Sequence, residues 1–206
     1  MDGGDPSHDV AHLARVHANA MRIAEGEGGD RELLGVAAIL HDCVQVEKDD
    51  PRRRLASRMA AERARRLMSR AWDAARLDAL AHAIEAHSYS GGVEPRTVEA
   101  RILRDADRLD QLGALGVARA FQVGGRIGRA LYDPADPRAE DRPLDDVAYT
   151  LDHFRTKLLL LEEGLVTVEG RRLAAGLAAR TREFLDWFEE EIGLPAPTPS
   201  AAPSPP

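Results

Sequence analysis

The sequence of 206 residues has little cysteine and no long hydrophobic run, and each shortage excludes a class of protein. The single cysteine, Cys43, cannot build a disulfide framework or a cysteine-based zinc cluster. The longest apolar runs, such as Leu158–Leu161, are far shorter than the roughly 20 residues that a membrane-spanning helix needs. The opening MDGGDP lacks the basic start and apolar stretch of a secretory signal. We therefore expect a cytoplasmic protein that does not bind membranes.

A surplus of basic residues is also missing. The chain has 35 acidic against 28 basic residues and a net charge of −7. Bulk binding to nucleic acid needs positive charge to neutralise phosphates, so it is not expected. The composition does contain seven histidines beside the acidic surplus. Imidazole and carboxylate groups are the ligands of many divalent metal ions, so a metal site is the first functional hypothesis.

Strand patterns are absent, whereas helix formers are abundant. The chain has 34 alanines, and alanine is the best helix former. We find neither β-branched runs nor period-2 alternation. The prediction is one all-α domain of seven to nine helices over residues 7–193. Residues 1–6 are expected to be flexible, and the Pro/Ala/Ser-rich residues 194–206 to form a disordered tail.

Apolar spacing and capping residues place the helices along the chain. They are predicted at residues 8–25, 31–42, 51–69, 73–87, 97–111, 112–123, from 143 onwards, and 170–192. Asp30 and Asp50 are expected to cap the second and third helices. The second helix is apolar nearly all round, so it should be the buried central one. The glycine-rich residues 124–128 follow no strand and are interpreted as a flexible loop that could cover a site.

Histidine and aspartate recur on three of these helices. His8 and His12 are one turn apart and share a face. His41 and Asp42 end the most apolar helix, where burying a carboxylate is costly unless it is paired. Asp107 lies among apolar neighbours and should face inward. Taken alone, each has an ordinary explanation: a hydrogen-bonded core histidine, a helix end at the surface, or a solvated acidic face.

Two further carboxylates, Asp105 and Asp110, share the helix of Asp107. They could lie near the site or on its rim. For Asp110, a solvated position is an equally good interpretation.

The order of His12, His41-Asp42 and Asp107 resembles the H…HD…D signature of the HD-domain metal-dependent phosphohydrolase superfamily. Longer stretches resemble its small single-domain bacterial hydrolases: SHDVAHLARV, AAILHDCVQVEKDDPRRRLAS, AIEAHSYSGG and ILRDADRLDQLGALGVAR. The resemblance covers about residues 7–191. It implies an HD-type helical domain in which His12, His41, Asp42 and Asp107 bind one divalent cation between central helices. The ligand set suits Mn²⁺, Fe²⁺, Co²⁺, Ni²⁺ or Mg²⁺.

The same resemblance implies hydrolysis of a small phosphate ester, with a nucleotide as one option, by a metal-activated water. The catalytic candidates are Asp42, His87 and Lys48. His87 precedes a turn and resembles the recurring histidine of HSYS in this subgroup. The candidates for holding the substrate phosphate are His8, His87, Lys48, Arg53 and Ser57. Asp49 and Asp50 make the segment of Lys48 more acidic than is usual in the subgroup.

Two other functions remain open at this point. A dinuclear-metal oxygenase of the same fold would need His82 and His87 as extra ligands, but a spacing of five residues turns them about 140° apart on a helix. A non-catalytic metal-binding regulatory module would keep the ligands without turnover. His17 and His153 are interpreted as ordinary structural residues. Arg108 and Lys157 are weaker candidates for substrate contact, and the chain is expected to be a monomer or a homodimer.

Overall fold

The computed structural model describes residues 10–44, 46, 50–89 and 91–195. Within these ranges the regular structure is helical, so the all-α prediction is confirmed. The eight α-helices are α1 (Val10–Glu27), α2 (Arg31–Leu40), α3 (Ala56–Met68), α4 (Ala74–His87), α5 (Val98–Leu109), α6 (Gly113–Arg126), α7 (Thr150–Thr156) and α8 (Val168–Glu191). Short 3₁₀ helices cover Pro51–Leu55 and Leu158–Leu160.

Side-chain caps begin several of these helices where the sequence predicts them. One carboxylate oxygen of Asp30 accepts hydrogen bonds from the backbone N–H groups of Glu32 and Leu33, each at 3.0 Å. Asp50 accepts one from the N–H of Arg52 at 2.7 Å, but it caps the 3₁₀ helix Pro51–Leu55 and not α3, which begins at Ala56. These bonds satisfy donors that the first turn of a helix leaves without a backbone partner.

The main hydrophobic core lies among α1 to α5, with the first half of α8 closing one side. Its fully buried side chains include Ile23, Leu34, Ile84 and Leu103. The prediction that α2 is buried all round is wrong at Ile39, which is 53% exposed. α2 packs against α1, α3, α4 and α5, and the exposure of Ile39 shows that one side of the helix still faces solvent.

A smaller core lies among α6, α7 and α8. Phe154 is fully buried there, and Phe121 and Phe184 pack against it. The centroid of the Phe121 ring lies 5.8 Å from the centroid of Phe154 and 5.8 Å from that of Phe184. These separations are typical of favourable aromatic pairs. This second core fixes the position of α6, the helix that carries Arg119.

The prediction that residues 124–128 form a loop is wrong for residues 124–126, which form the last turn of α6. A Cβ atom at Gly124 would lie 2.8 Å from Oγ1 of Thr150, so the glycine permits close packing against α7. The following segment is tied down where the N–H of Ala130 donates to the carbonyl of Ala148 at 2.9 Å. The N–H of Thr150 donates to the carbonyl of Ala130 at the same distance.

The helix predicted from residue 143 starts later, at Thr150. The carboxylate of Asp145 accepts hydrogen bonds from the N–H groups of Val147 and Ala148, and this turn delays the helix. Val147, in this turn, is 75% exposed. In the ranges that the structure describes, no helix is both long and apolar enough to cross a membrane. Residues 1–9 and 196–206, including most of the predicted tail, lie outside the described residues.

Candidate metal centre

A group of two histidines and one aspartate lies where α1 meets the end of α2. His12 belongs to α1, His41 ends α2, and Asp42 begins the turn that follows. One ligand atom of each lies within 4.8 Å of the others. The Nε2 atoms of His12 and His41 are 3.4 Å apart, and they lie 3.8 Å and 3.4 Å from Oδ2 of Asp42. The structure therefore brings together three of the four predicted ligands.

The imidazole rings are oriented by hydrogen bonds from their other nitrogen. Nδ1 of His41 lies 2.8 Å from the carbonyl oxygen of Ala38, and Nδ1 of His87 lies 2.5 Å from that of Ile84. A carbonyl oxygen only accepts, so each Nδ1 carries the proton in these contacts. In the neutral imidazole, the lone pair is then on Nε2, the nitrogen that faces the carboxylates.

Asp107 and His87 stand at the edge of this group. Oδ1 of Asp107 lies 3.6 Å from Nε2 of His12, while its Oδ2 accepts a hydrogen bond of 3.3 Å from Gln111. Nε2 of His87 lies 3.7 Å from Oδ1 of Asp42. The His87 ring meets the His41 ring edge-on, with centroids 4.9 Å apart. Asp107 as a fourth ligand and His87 as a catalytic group stay predictions.

The donor set and its spacing suit a divalent transition metal. Imidazole nitrogen and carboxylate oxygen together fit Mn²⁺, Fe²⁺, Co²⁺ or Ni²⁺. Two donors to one ion lie at most about 4.6 Å apart, twice a bond of about 2.3 Å. The separations of 3.4, 3.4 and 3.8 Å within the group of His12, His41 and Asp42 satisfy that limit. These residues could therefore hold such an ion.

The carboxylates also dominate the electrostatics of the centre. Burial by itself lowers the pKa of His41, but the adjacent Asp42 and then Asp107 outweigh it and raise that pKa to about 9. The pKa of His87 moves the other way, because the ring is buried and the charge of His41 opposes a second cation. The carboxylates thus outweigh burial at His41, whereas burial and the charge of His41 outweigh the carboxylates at His87.

Asp110 is buried beside the group, so its interpretation as a solvated residue is wrong. Its carboxylate is about 2% exposed and accepts a hydrogen bond from Nδ1 of His12 at 2.8 Å. Arg15 of α1 and Arg119 of α6 donate to the same carboxylate at 2.6 Å and 2.8 Å. Burial alone would raise the pKa of Asp110, but the bonds from His12 and Arg15 lower it to about 2. Sequence reasoning did not single out either arginine. Arg15 is 95 positions from Asp110 in the chain, and Arg119 is nine positions away but lies on the next helix, α6.

In the described contacts Asp105 bonds to residues before α8 rather than to His12, His41 or Asp42, and a position near the site or on its rim stays a prediction. Its buried carboxylate accepts from the backbone N–H and the hydroxyl of Thr167 at 2.7 Å and 2.6 Å. A Cβ atom at Gly170 would lie 2.6 Å from Oδ2 of Asp105, so a glycine is needed there. Asp105 therefore joins α5 to the start of α8.

The remaining histidines lie apart from the group. Nε2 of His82 accepts a hydrogen bond of 3.0 Å from the N–H of Arg96, so it does not join His87 as a ligand pair. His17 packs beside Gly35 of α2. Nδ1 of His153 lies 3.3 Å from Asp146, which also pairs with Lys157 at 2.7 Å.

The predicted phosphate contacts are only partly described. His8 and Lys48 lie outside the described residues. Arg53 is exposed and donates to the carbonyl of Val46 at 3.1 Å. Ser57 is buried at the start of α3, where its Oγ lies 3.0 Å from the position of a Cβ atom at Gly91. Ser57 thus contacts the turn that follows His87.

Comparisons with known proteins agree with this geometry. The HD domain family matches residues 9–112, a span that includes all four predicted ligands. The uncharacterised protein YpgQ of Bacillus subtilis is 31% identical over 196 residues, covering 93% of this chain and 88% of its own length. The chain belongs to the HD domain family.

Solved structures show the same relationship. The structure of Bacillus subtilis YpgQ in complex with ADP has a TM-score of 0.70 and 29% identity, and the match covers 91% of each chain. An HD-superfamily hydrolase from Bacillus thuringiensis has a TM-score of 0.69 and 29% identity, covering 89% of this chain and 86% of that one. The family membership predicted from the order of histidines and aspartates is thus confirmed, and it supports a hydrolase.

Proposed function

We propose that this protein is a divalent-metal-dependent phosphohydrolase that cleaves a small phosphate ester, with nucleotides as the substrate class. The observation that carries the proposal is the convergence of His12, His41 and Asp42, with ligand atoms within 4.8 Å of one another. The hydrolase named among the similar structures supports the reaction class. In this proposal Asp107 is the fourth ligand. When bound, a divalent ion supplies charge to polarise a phosphoryl oxygen and acidifies a coordinated water.

The chain's own residues would position the substrate and move protons. His87 faces Asp42 across 3.7 Å and is held by the carbonyl of Ile84, so its Nε2 is fixed at the edge of the centre. We assign proton transfer or phosphate contact to it. Lys48, Arg53, Ser57 and His8 remain the candidates for holding phosphate, a task for which arginine and lysine are suited.

Two observations favour a nucleotide over other phosphate esters. The related YpgQ structure contains ADP. In this chain, the ring of Tyr89 is 78% exposed two residues after His87. The guanidinium groups of Arg104 and Arg108 lie 5.8 Å and 5.5 Å from its centroid. The exposed ring of Tyr89, with the partly exposed Arg104 and the buried Arg108 over it, complements a nucleotide, which has an aromatic base and anionic phosphates.

A phosphatase screen with controlled metal content tests the proposal. Chelator-treated protein should release no phosphate from a panel of nucleoside mono-, di- and triphosphates and sugar phosphates. Added Mn²⁺, Co²⁺ or Ni²⁺ should restore turnover, and the Asp107→Ala variant should stay inactive under the same conditions. Absence of turnover for every ester and metal would favour the non-catalytic module. Two ions per chain, measured by metal analysis, would favour the dinuclear oxygenase.

A further inference from the structure

Asp110 occupies the junction of three helices directly behind the metal centre. It follows the last residue of α5, and its partners come from α1 and α6. One oxygen accepts from Nε of Arg15 at 2.6 Å. The other accepts from Nδ1 of His12 at 2.8 Å, from Arg119 at 2.8 Å and from the second guanidinium nitrogen of Arg15 at 3.1 Å. The carboxylate thus has partners at both oxygens.

This arrangement restrains Asp110 from several directions. A buried carboxylate is tolerated only when it is paired and hydrogen-bonded, and the bidentate contact with Arg15 also fixes its plane. Arg119 reaches it from α6, whose position is set by the aromatic core. The Asp110 side chain therefore has little freedom to rotate. A group that is hydrogen-bonded to it is held in place by that bond.

His12 is that group. Its Nδ1 bonds to Asp110, and this bond determines where the opposite nitrogen, Nε2, points. We propose that Asp110, held by Arg15 and Arg119, is a positioning residue that orients the ligand His12 and so sets the metal affinity of the centre. The inference rests on the metal-binding part of the proposed function. None of the three residues has to touch substrate.

Asp105 provides a matched control on the same helix. Both carboxylates are buried and hydrogen-bonded, and both join α5 to other elements. Asp105, however, bonds to Thr167 and Val166 at the start of α8, and no described hydrogen bond joins it to His12, His41 or Asp42. A purely structural role for Asp110 would make the two substitutions equivalent in every measurement.

The test is titration calorimetry of the chelator-treated full chain with Mn²⁺, without substrate. Asp110→Asn should weaken Mn²⁺ binding by about 10- to 100-fold, the range typical of a lost outer-shell partner. Asp105→Asn should lower the melting temperature and leave the affinity unchanged. The absorption bands of bound Co²⁺ should shift in Asp110→Asn but not in Asp105→Asn, because those bands report ligand geometry. Equal affinities for wild type and Asp110→Asn, or equal losses in both variants, would overturn the proposal.

A milder variant decides the case if Asp110→Asn does not fold. Arg15 is partly exposed, so Arg15→Gln should fold while loosening the carboxylate. It should reduce Mn²⁺ affinity by less than the loss expected for Asp110→Asn, and an unchanged affinity would reject the proposal. Because no substrate is used, a wild type that binds Mn²⁺ but hydrolyses no ester would reject the proposed function and leave this inference intact.

Discussion

Nε2 of His41 lies 3.4 Å from Oδ2 of Asp42, although the two residues are adjacent in the chain. Neighbours in a continuous helix project about 100° apart, which would separate these groups. α2 ends at Leu40, but His41 keeps helical backbone angles, with φ −58° and ψ −35°. The contact therefore depends on the conformations of the two side chains, whose ends meet although their backbone positions diverge.

This contact predicts a large effect of Asp42→Asn. The amide loses the negative charge that a divalent ion requires, so we expect Mn²⁺ affinity and phosphate release each to fall by more than about 100-fold. Calorimetry and a phosphate-release assay measure the two losses. Asp78→Asn, at an exposed position on α4, is the control and should behave as wild type. Full activity in Asp42→Asn would contradict the assignment.

His87 and His82, both on α4, offer a paired test of the proton-transfer role. His87→Gln should reduce kcat by about 10²- to 10⁴-fold, the usual contribution of a positioned acid or base. Mn²⁺ affinity should change much less, because the group of His12, His41 and Asp42 is intact. His82→Gln should retain kcat, since that ring bonds only to the N–H of Arg96 among the described contacts. Comparable losses in the two variants would argue against a specific role of His87.

Tyr89 is predicted to recognise the base of a nucleotide. Tyr89→Ala should raise KM for a nucleotide by about tenfold, in line with the loss of one stacked ring, with little change in kcat. Tyr89→Phe keeps the ring and should keep KM. Sugar phosphates without a base serve as the control substrate and should be hydrolysed equally by all three proteins. An equal rise in KM for both substrate classes would show that stacking on a base is not the role of Tyr89.

The ion pair of Asp152 and Arg142 predicts a pH-dependent stability. Burial raises the pKa of the fully buried Asp152, but hydrogen bonds from Arg142 at 2.5 Å and from the N–H of Asp145 at 2.7 Å outweigh it, and the net shift is downward. A lowered native pKa means that the carboxylate stabilises the fold above its unfolded pKa of about 3.9, and that this stabilisation is lost as the pH falls through the native pKa.

Asp152→Asn should therefore lower the free energy of unfolding at pH 7 by about 2 kcal/mol, because Arg142 and the N–H of Asp145 lose a charged acceptor while Arg142 keeps its ion pair with Asp133 at 3.1 Å. The difference from wild type should shrink as the pH falls below about 4. Denaturant unfolding at several pH values measures it, with the exposed Asp141→Asn as control. A difference that stays constant from pH 7 to pH 3 would contradict this account.

The sequence was a good guide wherever local chemistry decides the structure. Caps at Asp30 and Asp50 were predictable because a carboxylate accepts hydrogen bonds from backbone N–H groups two or three residues further along the chain. Local patterns were poorer guides at turns, where Asp145 delayed α7 and the glycines of residues 124–126 continued α6. At Asp145 the side chain bonds to the backbone and competes with the helix. At Gly124 close packing against Thr150 of α7 outweighs the low helix propensity of glycine.

By itself, the sequence determined the all-α class, the HD family and the order of the histidine and aspartate ligands, because these depend on composition, periodicity and short motifs. Only the tertiary structure decided which carboxylates bond to the predicted ligands. Asp105 lies on α5 and Asp110 directly follows it, yet Asp105 bonds to Thr167 before α8 and Asp110 to His12. Their roles differ because the elements packed against α5 differ, and that packing joins residues about 60 to 100 positions apart.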